Sequence, residues 1–359
     1  MAEYLSFVVL EEFLNSGQND IIDNGTLSRL WSVFNLKMCE AFEFEFEAMV
    51  TLNPIILNTS NLIKYYNPVP YQKGAAFFRN LCMLVGKKVF NSILKKVCNF
   101  YSHHNISTSI LFNLVKVMIR NMDEDDVCML EESDLEKYWF DNLLLPFYSC
   151  ILVSGFSYKA QSNTLDVSFE EIANQLPFDQ SFKEDYFEEV IGESHQHSTP
   201  EDLKKAMACH SAEELIGHQI SPVHCINRQT ISRRTNFFKV TILDSDCKVI
   251  FESWCKLWTP DTKMFTVPDV QVEPSAIILN GHGESYAKVF LDDKTLAFLF
   301  SESNIHKIDD PDMRVSLYLT MALSPQLPHW EDKVRACMEK EPKLIQKIVS
   351  PKFLSKTAK

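Results

Sequence analysis

The hydrophobic period changes twice along the chain, and this change limits the possible folds more than any other feature. Residues 1 to about 145 carry apolar side chains three and four positions apart, which is typical of amphipathic helices. From about 146 to 291, apolar and polar residues alternate, and the polar tips QSN and DSD indicate hairpin turns. The helical period returns from 292 to 359. The sequence therefore predicts an α+β protein with three domains at these boundaries.

Each of the three regions predicts a particular architecture. In the first, the nearly all-apolar stretch KGAAFFRNLCMLVG at 73–86 predicts a core helix that ends at Gly86. The second predicts a β-sandwich with an irregular insert at about 175–225. The third predicts paired helices that resemble the beginning of an α-solenoid. Because a solenoid normally needs more repeats than this region offers, we expect exposed, truncated apolar faces there through which the protein associates with partners.

Composition excludes several classes of partner. The net charge is -13, with 35 Lys and Arg against 48 Asp and Glu, and basic residues form no run. Nucleic acids and anionic membranes are therefore poor partners. The chain has no apolar stretch long enough for a membrane span, and acids occupy the N-terminus where a signal peptide carries basic residues, which predicts a cytoplasmic protein. The ten cysteines lack close pairs and are predicted to be reduced thiols.

Motifs for chemistry are scarce. None of the ten histidines precedes a glutamate, so the zinc motif His-Glu-x-x-His is absent, and pairs such as His103 with His104 fit surface residues better than ligands. Gly281 and Gly283 lie in NGHGESYAKV, where a hairpin turn explains them. The acidic stretch at 123–136 is predicted to be solvated surface. These residues alone indicate a multi-domain protein without an identifiable active site.

Three stretches of the chain resemble segments of one protein family, and they occur in the same order as in that family. VPYQKGAAFFRNLCMLVGKKVFNSIL at 69–94 resembles the zinc aminopeptidases of the gluzincin class, which carry a Tyr-Glu-Lys-Gly turn at the start of a core helix. AEYLSF at 2–7 is similar to the segment after the family's third zinc ligand. PSAIILNGHGESYAKVFLDDKTLAFLF at 274–300 is similar to the end of the family's β-sandwich and the start of its C-terminal helical domain, as in aminopeptidase N.

The resemblance implies a fold, an activity and one catalytic residue. Residues 1–145 would be the helical part of a thermolysin-like catalytic domain, from an enzyme that removes N-terminal residues from peptides. Tyr71 would donate a hydrogen bond to the oxyanion of the tetrahedral intermediate, and Lys73 and Gly74 would form the turn that positions it. Gln72 departs from the family's Glu. The third zinc ligand would fall just upstream of Met1, so zinc belongs to the family but none is expected for this chain alone, which would be inactive.

Two other interpretations stay open at this point. The chain could be a non-catalytic scaffold or peptide-binding protein in which Tyr71 only packs against its helix. It could also be an unrelated protein, which a helical region at 146–291 would favour.

Overall fold

The N-terminal region is helical where the structure describes it. The computed structural model describes residues 2–15, 30–48, 68–102, 108–121, 134–135, 138, 149–171, 235–258, 264–324 and 326–357. The helices in these ranges before the first strand are α1 (Ala2–Asn15), α2 (Leu30–Ala48), α3 (Pro68–Val85), α4 (Lys87–Phe100) and α5 (Thr108–Arg120). Helix α3 packs against both α1 and α2.

Helices α2 and α4 bury the stripes that their spacing predicts. On α2, Phe34, Met38 and Phe42 lie four residues apart and are all buried. The ring of Phe34 meets those of Phe7 on α1 and Trp31 edge to face, at centroid distances of 5.2 Å and 5.4 Å. On α4, Phe90 and Ile93 are buried, whereas Lys95 and Lys96 are exposed. The helical period therefore identified both faces correctly.

Helix α3 ends where the sequence predicts. Gly86 follows its last residue with a φ of 83°, a left-handed conformation that glycine adopts without the strain of a Cβ atom. Helix α4 begins at the next residue, and the Phe90 amide donates to the Gly86 carbonyl at 3.0 Å. One glycine thus ends a buried helix and turns the chain directly into the next.

Seven strands lie in the described parts of 149–290, as the alternating period predicts, and they form two sheets. The strands are β1 (Ser149–Lys159), β2 (Thr164–Glu171), β3 (Thr235–Leu243), β4 (Val249–Trp258), β5 (Met264–Val267), β6 (Ala276–Leu279) and β7 (Ala287–Phe290). One sheet has the order β5-β2-β1-β7 and the other β4-β3-β6. Buried side chains from both sheets, including Val153 and Val167 of the first and Val240 and Leu279 of the second, form one hydrophobic cluster.

The two predicted hairpins are confirmed, but the hairpin predicted around Gly281 and Gly283 is wrong. Strands β1 and β2 pair antiparallel, as do β3 and β4. In contrast, β6 pairs with β3 whereas β7 pairs with β1, so the glycines lie in a connection that crosses between the sheets. Gly283 has a φ of 65°, and any side chain there would collide with Asn35 and Met38 of α2. Close approach of a helix, rather than a hairpin, accounts for this glycine.

The prediction that 123–136 is solvated surface is wrong at Asp134. This side chain is buried and forms an ion pair with Lys256 of β4. The rest of the stretch, apart from Leu135, lies outside the described residues. A buried carboxylate needs a charged or hydrogen-bonding partner. The partner of Asp134 lies in a strand far along the chain, so the local sequence gives no sign of it.

The C-terminal region consists of short helices. Helix α6 (Asp293–Leu296) runs into a π-helical turn at Ala297–Ser301, and a 3₁₀ turn at Asn304–Lys307 precedes α7 (Pro311–Leu323), α8 (Leu327–Met338) and α9 (Lys343–Thr357). Helix α7 packs on α2, α8 and α9. The Asp310 side chain caps α7 by accepting from the amides of Asp312 and Met313 at 2.8 Å and 3.2 Å.

Several other sequence predictions can be compared with the described residues. Seven cysteines there are free thiols, which agrees with the prediction of reduced cysteines: Cys39, Cys82, Cys98, Cys150, Cys247, Cys255 and Cys337. No helix in the described ranges is long and apolar enough to cross a membrane. The predicted insert at 175–225 and the pair His103 and His104 lie outside the described residues.

Candidate functional site

Tyr71 lies in the first turn of α3 and faces outward. Helix α3 begins at Pro68, so the segment Tyr71–Gly74 is helical and is not the turn that the resemblance implies. Proline fits this position because the first helical amides need no partner inside the helix. Tyr71 is 45% exposed, whereas most of α3 after it is buried. The phenol therefore stands at the edge of the helical core rather than within it.

Lys73 and Gly74 lie on the inner side of the same helix. Lys73 is only 2% exposed, and its Nζ lies 5.3 Å from the ring centroid of Tyr286, which is close enough for a cation–π contact. Gly74 is also buried. The contact of Lys73 links the start of α3 to the connection between β6 and β7. Lys73 therefore helps to fix the helix from which Tyr71 projects, which is a different role from forming a turn.

Further along α3, Arg79 joins three segments of the chain. It is 4% exposed and donates to the carbonyls of His282 at 2.9 Å and Gly283 at 3.1 Å, and to Asn35 Oδ1 at 3.4 Å. Its guanidinium carbon lies 4.2 Å from the ring centroid of Trp31. Burial lowers the pKa of Arg79, and the charges of nearby carboxylates oppose that shift. Arg79 therefore fixes α3 to α2 and to the connection between the sheets.

The carboxylates that oppose this shift most strongly are Glu284 and Asp312. Glu284 is 1% exposed and Asp312 is 8% exposed. Asp312 accepts a hydrogen bond from the Ser32 hydroxyl of α2. Neither carboxylate oxygen of Glu284 has a hydrogen-bond partner in the described part of the chain. Two buried acids thus share one buried guanidinium.

Burial raises the pKa of Asp312 to about 6 from its usual 3.8, and the negative charge of Asp310 adds to the increase, whereas Ser32 and Arg79 oppose it. His282, Glu284 and Asp310 face the same cavity as Asp312. The folded protein therefore binds this proton more tightly than the unfolded chain does. The stabilising contribution is complete below pH 4 and is lost as the pH rises through about 6.

Replacement of Asp312 by asparagine is expected to remove this contribution from the pH profile of stability. The size of the pKa change corresponds to roughly 3 kcal/mol between acid and neutral pH. Urea unfolding of both proteins at pH 4 to 8 measures it as the change in the difference between their free energies of unfolding. Asp332→Asn, at an exposed position of α8, is the matched control. An unchanged difference across this range would contradict the assignment.

The sequence contains one signal for this cluster. Arg79 is the only charged residue between Lys73 and Gly86, and a lone arginine in an otherwise apolar helix predicts buried partners. Glu284 and Asp312 gave no such signal. Their positions depend on a crossover connection and on the packing of α7 against α2.

A zinc site does not fit the described residues. No group of three or more His, Cys, Asp or Glu side chains in the described ranges could hold a metal ion. A catalytic zinc requires three protein ligands and an open position. The expectation that this chain alone holds no zinc remains a prediction.

Comparison with family models finds a match for the first part of the chain. Residues 1–132 match the model of the Peptidase family M1 domain. This part of the chain is therefore similar to the M1 peptidase domain. The match includes all of α1 to α5, and with them Tyr71, Lys73 and Arg79.

Two further comparisons add little to the M1 match. The fold is similar to a crystal structure of Legionella pneumophila aminopeptidase A in complex with aspartic acid, with 12% sequence identity and a TM-score of 0.48. That similarity covers 94% of this chain and 34% of the Legionella chain, so this chain spans about a third of that protein's length. No curated protein matches the sequence.

Proposed function

We propose that this chain is part of a zinc aminopeptidase-like protein that removes N-terminal residues from peptides, and that Tyr71 is its oxyanion donor. The observation that supports the proposal is the position of Tyr71. Within the segment that matches the M1 domain, it projects from the first turn of a buried helix with 45% of its surface exposed. A catalytic phenol must reach substrate, and an exposed ring on a rigid helix meets that requirement.

The chemistry available to Tyr71 is hydrogen-bond donation. When a nucleophile attacks a peptide carbonyl, the oxygen becomes an anion that a positioned O–H stabilises more strongly than it stabilises the neutral carbonyl. A single donor of this kind lowers the barrier by about 3 to 4 kcal/mol. No group of three or more metal-binding side chains occurs among the described residues. We therefore propose that the chain alone is inactive, because one donor is a small part of a hydrolytic site.

The proposal extends to the architecture and location. We propose that the two sheets form a β-sandwich domain within 146–291, and that α6 to α9 are the start of an α-solenoid at 292–359. The shared hydrophobic cluster of the two sheets supports the first assignment, and the packing of α7 on α8 and α9 supports the second. Residues 1–145 would then be the helical part of the catalytic domain. A cytoplasmic location belongs to the same proposal.

The activity proposal is tested with the 359-residue chain and with a longer protein. The longer protein includes the coding sequence upstream of Met1, in which we expect a His-Glu-x-x-His motif and a later glutamate ligand. Zinc content is measured by mass spectrometry, and activity by release of aminomethylcoumarin from aminoacyl amides. We expect no stoichiometric zinc and no release from the 359-residue chain, and both from the longer protein. Stoichiometric zinc and release from the shorter chain would contradict the proposal.

A non-catalytic scaffold is the second candidate, and exposed apolar residues on α1 favour it. Val9, Leu10 and Phe13 are large apolar side chains with exposed surface on one helix. Such residues often mark a contact with another protein. An upstream sequence in which the zinc ligands are replaced would favour the scaffold. Zinc-dependent release of reporter by the longer protein would exclude a purely scaffolding role.

A further inference from the structure

A cavity of about 570 Å³ lies between α1, α3, α4 and strands β3 and β4. Its size is within the range that holds small organic ligands. Tyr4, Val8, Phe90, Leu94 and Trp254 provide an apolar wall. The α3 residues of the wall begin at Arg79 and include Cys82, which lies about 16 Å along the helix axis from Tyr71. The cavity is therefore at the opposite end of α3 from the proposed oxyanion donor.

The basic side chains on the cavity wall already have acceptors. Lys239 Nζ lies 2.6 Å from Glu252, and Lys87 Nζ lies 3.3 Å from Glu12. Arg79 donates to two backbone carbonyls and to Asn35. A ligand anion would have to compete with these partners, so the wall does not favour an anion.

Three of the four acids on the wall also have donors. Glu11 accepts from Trp31 Nε1 at 2.8 Å. Asp310 caps α7 and lies 3.5 Å from His282 Nδ1, and Asp312 accepts from Ser32. The fourth acid is Glu284, which is 1% exposed and lacks a hydrogen-bond partner at both oxygens among the described residues. A buried carboxylate without donors is costly, and this cost makes Glu284 the strongest point of attraction in the cavity.

The buried acids on the cavity wall also outnumber the buried cations by one. Glu284 and Asp312 are both buried, and the one cation buried beside them in the described structure is Arg79. A ligand with a single positive charge would balance this set. A metal ion fits less well, because no group of three metal-binding side chains occurs in the described ranges, and hard cations need several oxygens at once.

We propose that this cavity binds a small organic monocation, with its ammonium group against the Glu284 carboxylate and its apolar part against Trp254 and Phe90. Both oxygens of Glu284 are covered in the structure, so a rotation of this side chain has to bring them to the cavity. There the ammonium group supplies up to three hydrogen-bond donors, which is enough for both oxygens. The apolar wall selects for an aliphatic or aromatic body and against a bare inorganic cation. This inference does not depend on Tyr71 or on peptidase activity.

The test uses two probes of nearly the same shape, 4-phenylbutylammonium and the neutral 4-phenylbutan-1-ol. Calorimetry with the 359-residue chain is expected to show that the amine binds at least about 30-fold more tightly than the alcohol, because a buried charge pair is lost with the alcohol. Glu284→Gln is expected to weaken amine binding by a similar factor and to leave alcohol binding unchanged. Equal binding of the two probes, or no binding of either up to millimolar concentration, would overturn the proposal.

Two controls separate binding from folding. Glu273→Gln removes an exposed acid outside the cavity and is expected to leave amine binding unchanged. Glu284→Gln keeps the side-chain volume and removes a carboxylate that lacks hydrogen-bond donors, so the variant is expected to stay folded, which thermal unfolding measures. If Glu284→Gln is folded and still binds the amine as wild type does, the carboxylate is not the recognition group. If magnesium or calcium displaces the amine, the cavity is a metal site and the proposal fails.

Discussion

Replacement of Tyr71 by phenylalanine is expected to lower kcat by about 10²- to 10³-fold in the longer, zinc-bearing protein, with little change in KM. Phenylalanine keeps the ring and removes the one hydroxyl that would stabilise the oxyanion. Because this interaction forms only in the transition state, its loss lowers kcat and kcat/KM equally. Steady-state kinetics on an aminoacyl coumarin amide measures both constants.

The control for this experiment is a second tyrosine that is also partly exposed. Tyr101 is half-buried just after α4, and Tyr101→Phe is expected to leave kcat unchanged. Thermal unfolding of Tyr71→Phe is also expected at the wild-type temperature, because Tyr71 is not part of the buried core. Equal losses in the two variants, or full activity of Tyr71→Phe, would show that Tyr71 only packs against its helix.

Replacement of Arg79 by leucine is expected to lower the free energy of unfolding by about 3 to 5 kcal/mol. The change removes the donor to the carbonyls of His282 and Gly283. It also leaves two buried carboxylates without their cation, which costs more than the loss of an exposed ion pair. Urea denaturation at pH 7 measures the effect.

A double variant tests the reason for this loss. Because Glu284 is one of the carboxylates left without a cation, Glu284→Gln is expected to raise the stability of Arg79→Leu by more than it changes the stability of the wild type. Arg335→Leu is the matched control: Arg335 pairs with Glu331 on one face of α8 at 2.6 Å, and its loss is expected to cost under about 1 kcal/mol. Additive effects of the two cavity substitutions would contradict the account of a shared buried charge cluster.

The sequence pattern correctly predicted those helix faces, helix ends and hairpins that depend on residues close together in the chain. The spacing of Phe34, Met38 and Phe42 identified the buried face of α2, because residues four apart share one side of a helix. Gly86 identified the end of α3, because its φ of 83° favours glycine. The β1–β2 and β3–β4 hairpins followed from alternation around polar tips.

Features that depend on distant segments were not predicted. Gly283 was interpreted as part of a hairpin, whereas the approach of α2 explains it. Asp134 was assigned to the surface because it lies in an acidic stretch. Its partner Lys256 lies in a strand more than a hundred residues later, so the stretch itself does not indicate that Asp134 is buried. The charge cluster at Arg79 needs α2, α3, α7 and the β6–β7 connection together. No local period carries information about such an assembly.

The position of Tyr71 relative to bound substrate tests the central claim most directly. A crystal structure of the longer, zinc-bearing protein with a phosphinate peptide analogue would place a phosphinate oxygen where the oxyanion forms. We predict that Tyr71 Oη lies within hydrogen-bonding distance of that oxygen, at about 2.7 to 3.1 Å. A structure in which the analogue binds and the Tyr71 hydroxyl points to solvent, or contacts only protein, would contradict the account.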